Sequence, residues 1–133
     1  ATTRLESGDF TGAERDYREA LRVATLNSNS EMMAGIPGNL AELALRQDKY
    51  REAEGLAREA VERSENLGRQ ELISGNAHRL AQALLHQGDP AAALPYALRA
   101  TEIATRLRLP DEEVSRALLE DCKDLIHRDE KSG

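Results

Sequence analysis

Ser7-Gly8-Asp9-Phe10-Thr11-Gly12-Ala13, Gln47-Asp48-Lys49-Tyr50-Arg51-Glu52-Ala53 and Gln87-Gly88-Asp89-Pro90-Ala91-Ala92-Ala93 are one motif written three times. Phe10, Tyr50 and Pro90 stand at a constant interval of about 40 residues, which is the sequence signature of stacked helical hairpins. After each copy the apolar residues recur at steps of three and four, the period of one helix face. The first series is Phe10, Ala13, Tyr17, Ala20, Leu21 and Ala24; the second is Tyr50, Ala53, Leu56, Ala57, Ala60, Val61 and Leu67. The third is Ala93, Leu94, Ala97, Ala100, Ile103, Ala104 and Leu107. Each motif therefore marks the turn into the second helix of a hairpin.

The small residues of the three series coincide. Ala13, Ala53 and Ala93 match, as do Ala20, Ala60 and Ala100. Two helices approach to about 8 Å only where the side chains between them are this small. Asp9 and Asp89 are placed to accept hydrogen bonds from free amides at helix starts, and Pro90 suits a first helical position. Gly68, just past Leu67, is placed to close its helix in a left-handed conformation. First helices are expected at roughly 31–47 and 70–87, with a last helix at about 111–128. Gly35-Ile36-Pro37-Gly38 is expected to weaken or bend the start of the 31–47 helix, and Pro95 to bend its own helix slightly.

The repeats resemble the tetratricopeptide repeat family. Its small residue in the first helix is matched by Ala41 and Ala81, and its aromatic after the turn by Phe10 and Tyr50, with Pro90 departing. Its two alanines in the second helix are matched by the Ala13 and Ala20 series. Pro37 and Ala77 stand where a large residue is usual, and the proline that ends each repeat is replaced by longer helices. The longer period is similar to variants in kinesin light chains and bacterial regulators. The resemblance covers about residues 1–109 and implies an all-α, right-handed superhelical solenoid of about three repeats plus a final helix.

We read residues 1–133 as a single domain with units at about 1–29, 30–69 and 70–109 and a terminal helix at about 111–128. The chain opens on Ala1, and residues 1–7 read as the last turns of a hairpin that begins upstream, as in a fragment of a longer protein.

Composition narrows the function. A net charge of −6 with both signs interspersed disfavours nucleic acid, which is bound by clustered Lys and Arg. No apolar run approaches the roughly 18 residues of a membrane span. The single cysteine, Cys122, has no internal disulfide partner, which points to a reducing, cytoplasmic setting. Cys122 and His127 are five apart on a helix and point in different directions, without an orienting third group. We therefore expect no catalytic residues. His78 and His86 lie eight residues apart, about 12 Å along a helix. Imidazoles sharing a zinc must come within about 4 Å of each other, so neither metal nor cofactor is expected. Asp111, Glu112 and Glu113 follow Pro110 and suit the dipole of a helix start.

What remains is a binding surface. The resemblance implies a concave face lined by first helices, which places Asn39, Glu42, Leu45 and Arg46 beside His78, Arg79, Gln82, Leu85 and His86. His78, Gln82 and His86, four apart, form one stripe. Asn39 and Arg79 also match two of the five residues with which some family members clamp the carboxylate end of chaperone tails, while Gly75 replaces an expected lysine. The function expected is a non-catalytic protein–protein interaction module or scaffold whose groove takes a peptide, a helix or a neighbouring domain. The alternative is a ligand-sensing segment of a larger bacterial transcription regulator or signalling ATPase. Val114, Leu118, Leu119, Cys122, Leu125 and Ile126 exceed one amphipathic stripe, so self-association through exposed end helices is a further expectation.

Overall fold

Stretches of 17 to 21 residues with apolar side chains at helical spacing, separated by short turns, fold here as consecutive α-helices. The computed structural model describes residues 10–132, and the expected helix end at 1–7 and turn at Ser7–Asp9 lie outside them. Among the described residues there is no strand. The helices are α1 (Phe10–Leu26), α2 (Ser30–Arg46), α3 (Tyr50–Leu67), α4 (Gln70–His86), α5 (Pro90–Leu107) and α6 (Glu112–Ser132). The final helix runs further than the sequence suggests, and no helix of the described residues is long and apolar enough to cross a membrane.

The turns keep strict time. Ser28, Asp48, Gly68, Gly88 and Arg108 all have φ between 54° and 81°, and their numbers advance by 20. At each turn the amide after the left-handed residue donates to the carbonyl five residues back: Asn29 to Ala24, Lys49 to Ala44, Arg69 to Ser64, Asp89 to Leu84 and Leu109 to Ala104. One helix closure is thus used five times, satisfying carbonyls that a helix end would otherwise leave bare. Asn29 and Asp89 cap the following helices, accepting from the amides of Met32 and Ala92 at 3.1 Å. α2 runs unbroken through Pro37 and α5 through Pro95.

Each helix packs on its sequence neighbour, which makes antiparallel hairpins. In addition α2 touches α4 and α4 touches α6, whereas α1, α3 and α5 make no such contact with one another. The inner helices form a closed layer and the outer ones splay apart, so the array is a curved helical-repeat solenoid. Side chains set that spacing. Ala13, Ala41, Ala53, Ala60, Ala81, Ala93 and Ala100 are wholly buried, so the layers meet at methyl groups. α4 lies at the centre: Leu80, Ala81 and Leu84 pack with Ala93 and Ala97 of α5 and with Leu119 and Cys122 of α6.

Long side chains span the open outer layer. Arg18 of α1 reaches Glu52 of α3 at 3.6 Å, and Arg58 of α3 donates to the Tyr96 hydroxyl of α5 at 3.2 Å. In α6 the apolar surplus is mostly absorbed: Leu119 and Cys122 are buried, Leu118 packs on the core, and Val114 stays exposed. Glu112 in its first turn accepts from Arg116 at 2.6 Å and from Thr105 of α5 at 3.3 Å, fixing the corner between the two helices.

Candidate binding face on the inner helices

The concave candidates sit on α2 and α4, and three of them meet. Glu42 takes Arg46 at 3.5 Å, one turn along its own helix, and Arg79 at 3.7 Å across the seam. One carboxylate therefore serves two guanidinium groups, leaving the cluster with a net positive charge. Arg79 is the better held of the two. Its side chain is 28% exposed, against 50% for Arg46, and its Nη1 donates to Asn76 Oδ1 at 3.1 Å.

Asn76 is almost wholly buried and uses both ends of its amide. Its Nδ2 donates to Ser64 Oγ at 2.8 Å and to the Ala60 carbonyl at 3.3 Å, both on α3. Ser64 Oγ in turn donates to that same carbonyl at 2.6 Å. A buried amide satisfied in this way holds its orientation, because any rotation would strand a polar group away from water. The room for it comes from α2: a Cβ built on Gly38 would run into Asn76 Oδ1, with Arg79 Nη1 3.1 Å away. Gly75, on the other side of Arg79, likewise offers no side chain. A chain of contacts thus runs from α3 through α4 to α2 and ends at a half-exposed guanidinium.

The remaining candidates do not join this cluster. Asn39 is exposed, and Gln82 is half-buried. His78 turns to the next seam, where its Nδ1 lies 3.4 Å from the buried Ser115 hydroxyl of α6. Burial, and then the neighbouring Arg79 charge, hold its imidazole below the ordinary histidine value, against the opposing pull of Asp111 and Glu42. His86, at the end of α4, stacks on Tyr50 of α3 with ring centroids 4.6 Å apart and planes 8° from parallel. The Tyr50 hydroxyl donates to Asp48 at 2.8 Å, which raises its pKa. The expected histidine stripe is divided between two neighbourhoods.

Ser64, Asn76 and Gly38 were not among the sequence candidates. The available signal was Asn76 beside Ala77 and one turn before Leu80, a polar residue on a face that is otherwise apolar. Cys122 is wholly buried, and burial together with Asp121 pushes its thiol pKa up, away from the thiolate a nucleophile needs. His127 is exposed. Among the described residues no group of three or more His, Cys, Asp or Glu is arranged to hold a metal.

No curated protein matches the chain. The family model for the tetratricopeptide repeat matches residues 32–106, more than half of the 133. The matched stretch takes in nearly all of α2 and α5 and the whole of α3 and α4. Repeats of this family serve in general as protein-interaction modules and not as catalysts. With alanine-spaced hairpins, a 40-residue period and this match in agreement, the chain belongs to the tetratricopeptide repeat family.

Proposed function

We propose that the inner faces of α2 and α4 bind a protein partner of mixed polarity, a peptide, a helix or a neighbouring domain, without catalysis. The observation that carries this reading is the Arg79 cluster. Its guanidinium is anchored from behind by a buried amide, flanked by two glycines and left partly open to the concave side. An arginine fixed in this way has lost much of its conformational freedom before any partner arrives, which lowers the cost of binding. Arg46 and Arg79 favour acidic or carboxylate groups, and Glu42 between them tempers that preference. Asn39, His78, Gln82 and His86 extend the surface as peripheral contacts, and the whole chain acts as one binding unit.

A pull-down from source-cell lysate tests the reading, comparing wild type with a chain carrying Arg46→Ala, Arg79→Ala, His78→Ala and His86→Ala together. Circular dichroism checks that both remain helical. A partner retained by wild type and lost by the variant is the expected result. Equal retention removes the concave face as the binding surface.

A further inference from the structure

The outer layer contains a second feature, on the side of the array opposite the inner helices. Between α3 and α5 lies a cleft of about 340 Å³ with Val61 and Leu80 at its base. Two side-chain ties frame it: Arg58 to the Tyr96 hydroxyl at one end, and Glu65 to Arg99 at the other, each at 3.2 Å. Arg58 is neutralised by Glu54 at 3.0 Å, and Glu65 by Arg99. Glu62, exposed on the lip between the ties, forms no ion pair among the described residues. The cleft therefore carries one uncompensated negative charge over an apolar base. Asn66, one helical turn beyond Glu62, adds an amide carbonyl to the same rim.

The fold does not require this charge. Forty residues earlier, Arg18, Leu21 and Leu40 stand where Arg58, Val61 and Leu80 stand, so the base is repeated, whereas Leu56 and Glu59 stand in place of Tyr96 and Arg99 and the two ties are not. The lip is not repeated: Arg22 replaces Glu62, and Thr25 replaces Glu65. Arg22 is bound to Glu19 at 2.6 Å. The lip thus passes from a paired arginine to an unpaired glutamate between consecutive repeats, over apolar base positions that stay alike.

We infer that the α3–α5 cleft is a second docking site, which takes an arginine side chain presented by a protein partner. Its three-methylene stem covers Val61 and Leu80, and its guanidinium pairs with Glu62. Arginine suits the site because a planar fork can bridge the Glu62 carboxylate and the Asn66 carbonyl at once, and because its stem pairs with apolar surface. Charge complementarity selects this occupant over an acidic one.

Butylguanidinium is the probe, with butyrate and butanol as comparators of similar stem length, and the methyl resonances of Val61 and Leu80 as the readout. Saturable shifts with butylguanidinium alone are expected, with affinity at least threefold weaker in Glu62→Gln. That glutamate is exposed and unpaired, so the variant retains the fold. Absence of saturable shifts, equal response to butyrate or butanol, or a loss in Glu62→Gln smaller than threefold overturns the assignment. The concave face takes no part in this experiment, so neither result bears on it.

Discussion

The two inner seams, α2 against α4 and α4 against α6, bury polar groups in opposite ways. The first is sealed by a bidirectional amide: Asn76 gives hydrogen atoms to α3 and receives one from Arg79, so nothing in the network depends on a proton that comes and goes. The second rests on a single long contact between Ser115 and a histidine whose charged form is disfavoured by its surroundings. One seam is therefore fixed by geometry, while the other holds a histidine that its surroundings keep from protonating. The difference lies in which residue α4 turns to each neighbour, Asn76 to one side and His78 to the other.

Filling the first seam is the severest way to break this contrast. Gly38→Ala is expected to destabilise the protein by about 1–3 kcal/mol in urea unfolding, because the new methyl group displaces Asn76 from a packed site. In an Asn76→Ala background the same substitution is expected to lose most of its penalty, and a double-mutant cycle reads that coupling. Gly35→Ala, three residues earlier on the same helix, meets nothing within 4 Å and should stabilise by roughly 0.5–1 kcal/mol through helix propensity alone. If both glycines respond with the same sign, the seam is not sterically defined.

At the second seam, Ser115→Ala is expected to cost only about 0.5 kcal/mol, since its partner contact is long and His78 is half-exposed to water. Acid is the sharper probe there. The folded state holds His78 below its unfolded pKa, so on acidification the unfolded chain takes up the proton first. The stabilising difference is complete above the unfolded value and is lost as pH falls toward the folded one. Urea midpoints at pH 7.5 and 5.5 should fall for wild type and fall less for His78→Gln. Arg79 on α4, Glu42 on α2, Asp111 just before α6 and Ser115 on α6 are the groups facing this imidazole, and none of them is altered in that comparison.

The sequence made the hairpins readable because their signals are local. Ala53 and Ala93 recur in register, Gly68 marks a left-handed turn, and Asp89 announces a helix start, each within a few residues of the feature it causes. Ser28, Asp48 and Arg108 adopt the same left-handed turn without glycine's signature, so the 20-residue rhythm was hidden behind ordinary side chains. The candidate face was legible only in outline. Glu42, Arg46 and Arg79 were identifiable from their helical positions, but the dependence of Arg79 on Asn76, and of Asn76 on Gly38, joins residues of different helices. No pattern along one helix reports such a pairing. Gly38 instead looked like a flaw in its helix. His86 was separated from the other histidines by Tyr50, a partner 36 residues earlier in the chain, since 86 less 50 is 36.

The even spacing of the turns also governs how such an array can grow or shrink. Successive helices alternate between inner and outer layers while the turns fall every 20 residues, so the turn rhythm and the layer rhythm differ by a factor of two. Gain or loss of one 20-residue step would seat a helix such as α4, shaped by Gly75, Asn76 and Arg79 for the concave side, in a slot built for a helix like α3. Only steps of 40 return every side chain to its own layer. The unit that duplication or recombination can exchange without scrambling the two surfaces is therefore the hairpin, although the single helix with its turn is the unit that repeats in backbone geometry.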